Sequence, residues 1–370
     1  MLRAIPPTPR SPDDRPFPQR RHPPPAFFRE GDAPRPHTPR RWGEALTHVV
    51  IFSSGRSGSN RLLDGFDRHG ATNCRNEVHV LDTAIGRLPK RADGMPPDET
   101  FRALWAEAVD TSRRSRSVRD RFTEPKSYLV EPLRRIASQA YRRGRLRAVL
   151  GIRSDEWPIS APLLRGDTSK IVPVLKIADH PEWFLDHHAA TPGQFLIHNL
   201  RHPLGYLRSW YNRLIVAGRR EPEVDYEITR GAIASKAAPP DVASLPARYS
   251  LLNLYKAQLL YWRVQNEPLL TALSGSARYK VVTYEATSRD LQGTMTDLFG
   301  FAGLTVGPDL RARLTAMTNT LFARPHTDEI DGEAAGEAMA YALGGSPLMN
   351  LWKKTGEPIG AADTMTQATG

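Results

Sequence analysis

A single cysteine, Cys74, in 370 residues leaves no possibility of an intrachain disulfide, and so excludes the small secreted folds that depend on disulfide staples. A reducing compartment suits such a chain, and a cytoplasmic location is expected. Apolar runs of roughly eighteen residues, the length a membrane-crossing helix needs, do not occur. The Arg20-Arg21 pair is followed by His22-Pro23-Pro24-Pro25 rather than by an apolar export region, so neither a membrane span nor a signal peptide is expected. The chain also has no G-x-x-x-x-G-K-[ST] loop, whose lysine and hydroxyl would hold the terminal phosphates and Mg²⁺ of a nucleoside triphosphate, so ATP or GTP hydrolysis is disfavoured.

What is abundant is positive charge. The formal net charge is +11 and the isoelectric point near 9.9, which points to anionic partners: nucleic acid, a membrane surface, or a polyanionic cofactor or acceptor. Composition is otherwise that of a soluble globular protein, with 40% hydrophobic and 25% charged residues. The length suits one large α/β domain plus a tail, or at a stretch two domains.

The charge is unevenly spread. Residues 1–42 carry nine arginines against four acidic residues, together with twelve prolines and almost no periodic apolar pattern. Such a segment cannot bury enough surface to offset the entropy of ordering, and a disordered Pro/Arg-rich tail over 1–42 is expected. Residues 43–370 are then the folded α/β domain. Within it, the stretch 113–147 has twelve basic and three acidic residues, which reads either as a solvated helical face or as an acceptor-binding rim.

From Thr47 the pattern changes. Thr47–Phe52 is a short β-branched and apolar run ending in Ser53-Ser54-Gly55, and Leu62, Leu63 and Phe66 follow at helical spacing: strand, Gly/Ser loop, helix. Further buried strands are predicted at 148–152, 171–177, 195–200 and 279–283. Helices are predicted over much of 97–145, and at 204–216, 250–273 and 291–299, with 221–246 as a surface loop or helical insertion. Alternation of strand and helix argues for a three-layer fold in which helices flank a central parallel sheet.

The loop Ser53-Ser54-Gly55-Arg56-Ser57-Gly58-Ser59-Asn60-Arg61 sits where backbone N–H groups and the positive end of a helix dipole converge on an anion. Gly55 and Gly58 allow close approach, while the hydroxyls and Arg56 supply donors. The segment Arg56-Ser57-Gly58-Ser59-Asn60 resembles the donor loop of Golgi and bacterial sulfotransferases, of the form Arg-Ser-Gly-(Ser/Thr)-(Ser/Thr). Asn60 departs from the usual hydroxyl residue, although its side chain can still donate to phosphate.

A second segment, Phe195 through Trp210, resembles the family's 3′-phosphate motif, a strand ending in Arg-x-Pro with a serine eight residues after the arginine. Here these are Arg201, Pro203 and Ser209. An arginine at a strand end and a serine two turns into the next helix can face one phosphate from two sides. Val281-Val282-Thr283-Tyr284-Glu285 is similar to a family strand ending in Tyr-Glu. Tyr284 is then either an adenine contact or a core aromatic at the strand end. The resemblance spans about residues 47–305, and it implies a P-loop-like fold and 3′-phosphoadenosine-5′-phosphosulfate (PAPS) as sulfuryl donor, with no metal.

The resemblance also suggests the chemistry. Cys74-Arg75-Asn76-Glu77-Val78-His79 resembles a Gly-Glu-x-His segment in which the glutamate is the general base, which makes Glu77 the first candidate and His79 the second. Lys176, at the end of the next strand, is similar to family lysines that face the bridging oxygen, and His180 to the catalytic histidine of cytosolic members. The acceptor would be a hydroxyl or amine, with a carbohydrate or glycolipid favoured over other small hydroxyl compounds. Two rival readings stand beside this one: a non-catalytic anion- or nucleic-acid-binding protein, and a nucleotide kinase with a degenerate loop. No helix-turn-helix, RNA-recognition or zinc signature accompanies the basic stretches, so specific nucleic-acid binding is not expected.

Overall fold

The computed structural model describes residues 47–77, 98–114, 171–189, 191, 193–234, 245–321 and 330–354. The predicted tail at 1–42, its boundary, the strand at 148–152 and nearly all of the basic stretch 113–147 lie outside the described residues. So does His79.

Five strands form one sheet among the described residues: β1 (His48–Ser53), β2 (Thr72–Arg75), β3 (Val172–Ala178), β4 (Gln194–Leu200) and β5 (Tyr279–Thr283). Their order is β2-β3-β1-β4-β5 and every pairing is parallel. The fold is α/β, with the parallel sheet between helices. β1 at the centre is buried along its whole length, because both its faces are covered.

Side chains alternate across a strand, and β1 divides its own between two cores accordingly. Val49 and Ile51 join Leu62, Leu63 and Phe66 of α1 (Ser59–Asp67) and Met295, Leu298 and Phe299 on one face. Val50 and Phe52 meet Phe101 and Trp105 of α2 (Asp98–Arg114) and Trp183 and Phe184 of α3 (Glu182–His187) on the other. Fully burying one such side chain contributes about 1.5–3 kcal/mol.

After β4 the chain enters α4 (Pro203–Tyr211), which continues as a π-helical turn over Asn212–Val216, and then α5 (Pro222–Ala234). The long α6 (Leu251–Leu273) starts at Ser250, whose side chain accepts the Asn253 N–H. Its buried Tyr255, Leu259 and Trp262 form a third core with Tyr206 and Trp210 of α4 and with the helix Gly332–Leu343. The predicted insertion at 221–246 is thus helical over 222–234.

Two departures from the sequence reading have plain causes. β2 has the sequence Thr-Asn-Cys-Arg, with no apolar run to announce it, and is a strand because Asn73 and Cys74 pair with Pro173 and Val174 of β3. The predicted helix at 204–216 loses its α-helical phase at Asn212, where the Ala217 N–H reaches back to the Asn212 carbonyl.

Candidate functional site

Helices after the neighbouring strands β1 and β3 leave toward opposite faces of the sheet, α1 to one core and α3 to the other. In an open parallel sheet this reversal opens a crevice at the carboxyl ends of the strands, where ligands bind. Three non-glycine residues with positive φ stand at that edge: Arg56 (66°) after β1, Glu77 (48°) after β2 and Asp179 (65°) after β3. Left-handed backbone is costly for L-residues, so the surrounding structure must hold each one there.

The loop after β1 is gripped from several sides. Ser53 Oγ donates to Ser59 Oγ at 2.9 Å, and Asn199 Nδ2 donates to the Ser57 carbonyl at 2.9 Å and to its hydroxyl at 3.3 Å. The Gly55 N–H donates to Asp179 Oδ1 at 3.3 Å. Gly58, with φ of 82°, ends the loop and precedes α1, whose N-terminus has no side-chain cap. A Cβ at Gly58 would collide with the ring of Tyr284.

Arginines meet on one side of the loop. Arg56 Nη2 donates to Ser209 Oγ at 3.2 Å, and Arg201 Nη1 donates to the Arg56 carbonyl at 3.2 Å. Arg201, only 8% exposed, lays its guanidinium 4.4 Å from the centroid of the Tyr284 ring, and its buried Nε has no hydrogen-bond partner. Desolvation lowers the Arg201 pKa, offset in part by Tyr284 and Glu285. Partial desolvation likewise lowers that of Arg56, followed by repulsion from Arg213, Arg201 and Arg219. Like charges gathered in this way are at ease only with an anion among them.

A second group forms on the β2 and β3 side. Lys176 Nζ lies 3.0 Å from Glu77 Oε1 and 3.0 Å from Asn76 Oδ1. The lysine side chain is 5% exposed and the glutamate 45%, so a buried ammonium is presented to an accessible carboxylate. His180 Nδ1 is 3.1 Å from Glu182 Oε1, and its ring stacks on Trp183 at 4.3 Å.

The structure therefore joins Gly55, Arg56, Ser57, Gly58, Ser59, Arg201, Ser209 and Tyr284 around one loop, and Glu77 with Lys176 beside it. Asn60 is the second residue of α1 and is exposed. The sequence reading missed Asp179 and Asn199, which brace the loop, and Glu285, whose Oε1 accepts the His202 N–H at 2.9 Å. Only Glu285 carried a signal, as the residue after Tyr284. Among the described residues no three His, Cys, Asp or Glu side chains are grouped to hold a metal ion, and no helix is long and apolar enough to cross a membrane.

In fold the chain is similar to sulfotransferases. It aligns with a sulfotransferase from Alicyclobacillus acidocaldarius at 18% identity, over 81% of this chain and 96% of that one, with a TM-score of 0.37. A sulfotransferase domain from the curacin biosynthetic pathway aligns at 17% identity over 79% and 83%, TM-score 0.38. Mouse sulfotransferase SULT7A1, complexed with PAP, aligns at 9% identity over 84% and 89%, TM-score 0.39. No protein-family model matches the sequence, and no curated protein matches it. At such identities, what this chain does has to be argued from its own residues.

Proposed function

We propose that the protein transfers a sulfuryl group from PAPS to a hydroxyl or amine of an acceptor, with a saccharide or glycolipid hydroxyl as the favoured acceptor class. The observation that carries this reading is the contact between Arg56 of the loop and Ser209 of α4, with Arg201 bonded to the same loop. Two segments far apart in sequence build one cationic recess. The orphaned Nε of Arg201, the uncapped start of α1 and the mutual repulsion of Arg56 with Arg213, Arg201 and Arg219 all suit a nucleotide with phosphate at both its 3′ and 5′ positions.

The donor, when bound, supplies an activated sulfur–oxygen bond next to a phosphate leaving group. The chain's part is to accept a proton on one side and to hold negative charge on the other. In this reading Glu77 takes the acceptor's proton, and its accessible carboxylate, held by Lys176 through Oε1, suits that role. As that carboxylate is neutralised, the Lys176 ammonium is released to face the charge building on the departing oxygen. Loop N–H groups and Arg56 carry the remainder. His180, fixed by Glu182 and Trp183, is the alternative base, and so is His79.

The missing loop lysine disfavours the kinase alternative: Ser59-Asn60 follows Gly58. A direct assay incubates the protein with ³⁵S-labelled PAPS and saccharide, glycolipid and small-alcohol acceptors in the presence of a metal chelator. Label passing to an acceptor supports the reading. Transfer that needs Mg²⁺, or that occurs from ATP instead, would sink it.

A further inference from the structure

Arginines not included in either donor motif crowd the recess. Arg213 lies four residues beyond Ser209, on the same helical face, where α4 runs into the π-helical turn. Gly218, with φ of 60°, then reverses the chain, and the N–H groups of Arg219 and Arg220 both bond the Leu214 carbonyl, at 2.9 and 3.0 Å. The turn thus folds Arg219 back over the last helical turn, near Arg213. Arg220 is neutralised by the buried carboxylate of Asp225. Arg213 and Arg219 are exposed, and among the described residues neither has an ion-pair partner.

Their charge is felt at the loop. Both arginines depress the Arg56 pKa, Arg213 more than Arg201 does, although Arg201 is hydrogen-bonded to the Arg56 carbonyl. Arg56 bonds the Ser209 hydroxyl, Arg213 stands one helical turn beyond Ser209, and Arg219 is folded back beside that turn, so three mutually repelling guanidiniums gather on this side of the loop. A phosphodiester, with one charge, would leave most of that repulsion standing. A terminal phosphomonoester, close to dianionic at neutral pH, would relieve more of it.

We propose that Arg213 and Arg219 are specificity-determining residues that extend the recess around Ser209 and select a nucleotide bearing a terminal 3′-phosphomonoester. This rests on the PAPS reading above, and adds to it a second row of cations outside the recognised motifs. Being exposed, the two arginines act through a field that salt screens, so they also steer the dianion inward.

The test is calorimetry of the full chain with 3′,5′-adenosine bisphosphate and with AMP, at low and high salt, in wild type, R213A/R219A and R213K/R219K. The expected result is a loss of about ten-fold or more in bisphosphate affinity at low salt for the alanine pair, a shallower salt dependence, and little change for AMP. The lysine pair should keep most of the affinity. A wild type that prefers the bisphosphate, with that preference intact in R213A/R219A, overturns this inference alone. A wild type with no preference between the ligands overturns the donor reading and the inference with it.

Discussion

The Arg56 guanidinium donates to the Ser209 hydroxyl at 3.2 Å, joining residues 153 positions apart. Arg56 follows β1 and Ser209 stands two turns into the helix after β4, so neighbouring strands deliver them to the same edge of the sheet. The contact turns two separate motifs into a single recess and gives the recess its charge.

Arg201→Ala should weaken binding of 3′,5′-adenosine bisphosphate by roughly 2–4 kcal/mol, since it removes a buried charged donor proposed to face the phosphate. Calorimetry on the variant, with circular dichroism to check folding, gives the answer. Unchanged affinity in a folded variant would assign Arg201 to bracing the Arg56 carbonyl only.

Gly58→Ala should be disproportionately harmful for so small a change. A left-handed φ of 82° costs an L-residue about 1–2 kcal/mol, and the new methyl would also strike Tyr284. Melting temperature and bisphosphate affinity should both fall. Pairing it with Tyr284→Ala should recover the part due to collision and leave the part due to backbone strain. A fully tolerated Gly58→Ala would show that the loop is not held as described.

Buried His198 provides a pH signature. Its Nε2 faces Asn266 Oδ1 at 2.8 Å and its Nδ1 faces the Tyr279 hydroxyl at 2.7 Å. Since the amide oxygen can only accept, Nε2 carries the proton and Nδ1 accepts from the tyrosine. Burial pushes its pKa down to about 4 from 6.5, with the Asn266 bond opposing. His188 is likewise lowered to about 4, by burial and then by Arg278. Below the unfolded value the unfolded chain takes up protons that the folded one refuses, so stability should fall as pH drops from about 6.5 to about 4 and level off beneath that. The slope is at most about 1.4 kcal/mol per pH unit for each histidine. Chemical denaturation across this range should show it, and His198→Gln should remove about half of it, leaving the part due to His188. A slope unaltered by that substitution would contradict the neutral, buried assignment.

Much of this arrangement is legible in the sequence. The runs that became β1, β3 and β4 are buried almost throughout, so they read as apolar stretches, while the edge strand β5, only partly buried, shows itself by its β-branched residues, and the Gly/Ser loop betrays itself by composition. β2 was illegible because its residues owe their strand to pairing with β3 rather than to their own preference. Asp179 and Asn199 were illegible for another reason. Each braces the loop from a different strand end, and only the sheet order brings them there. The pairing of Lys176 with Glu77 depends likewise on β2 lying beside β3.

Glu77→Gln keeps the size and shape of the side chain but removes its basic oxygen. Sulfuryl transfer should slow by about a hundred- to ten-thousand-fold with little change in bisphosphate affinity. Near wild-type turnover in Glu77→Gln, together with collapse in His79→Ala or His180→Ala, would move the base to a histidine and leave the donor site as described.

The most direct measurement is the thermal shift of the wild-type protein with 3′,5′-adenosine bisphosphate against AMP and ATP at equal concentration, without Mg²⁺. A ligand at about 100 times its dissociation constant adds roughly 2.7 kcal/mol, which is readily resolved. The expected result is a clearly larger stabilisation by the bisphosphate, because Arg56, Arg201 and Ser209 are proposed to read the 3′-phosphate that AMP and ATP lack. Equal shifts from all three, or a larger shift from ATP, would contradict it.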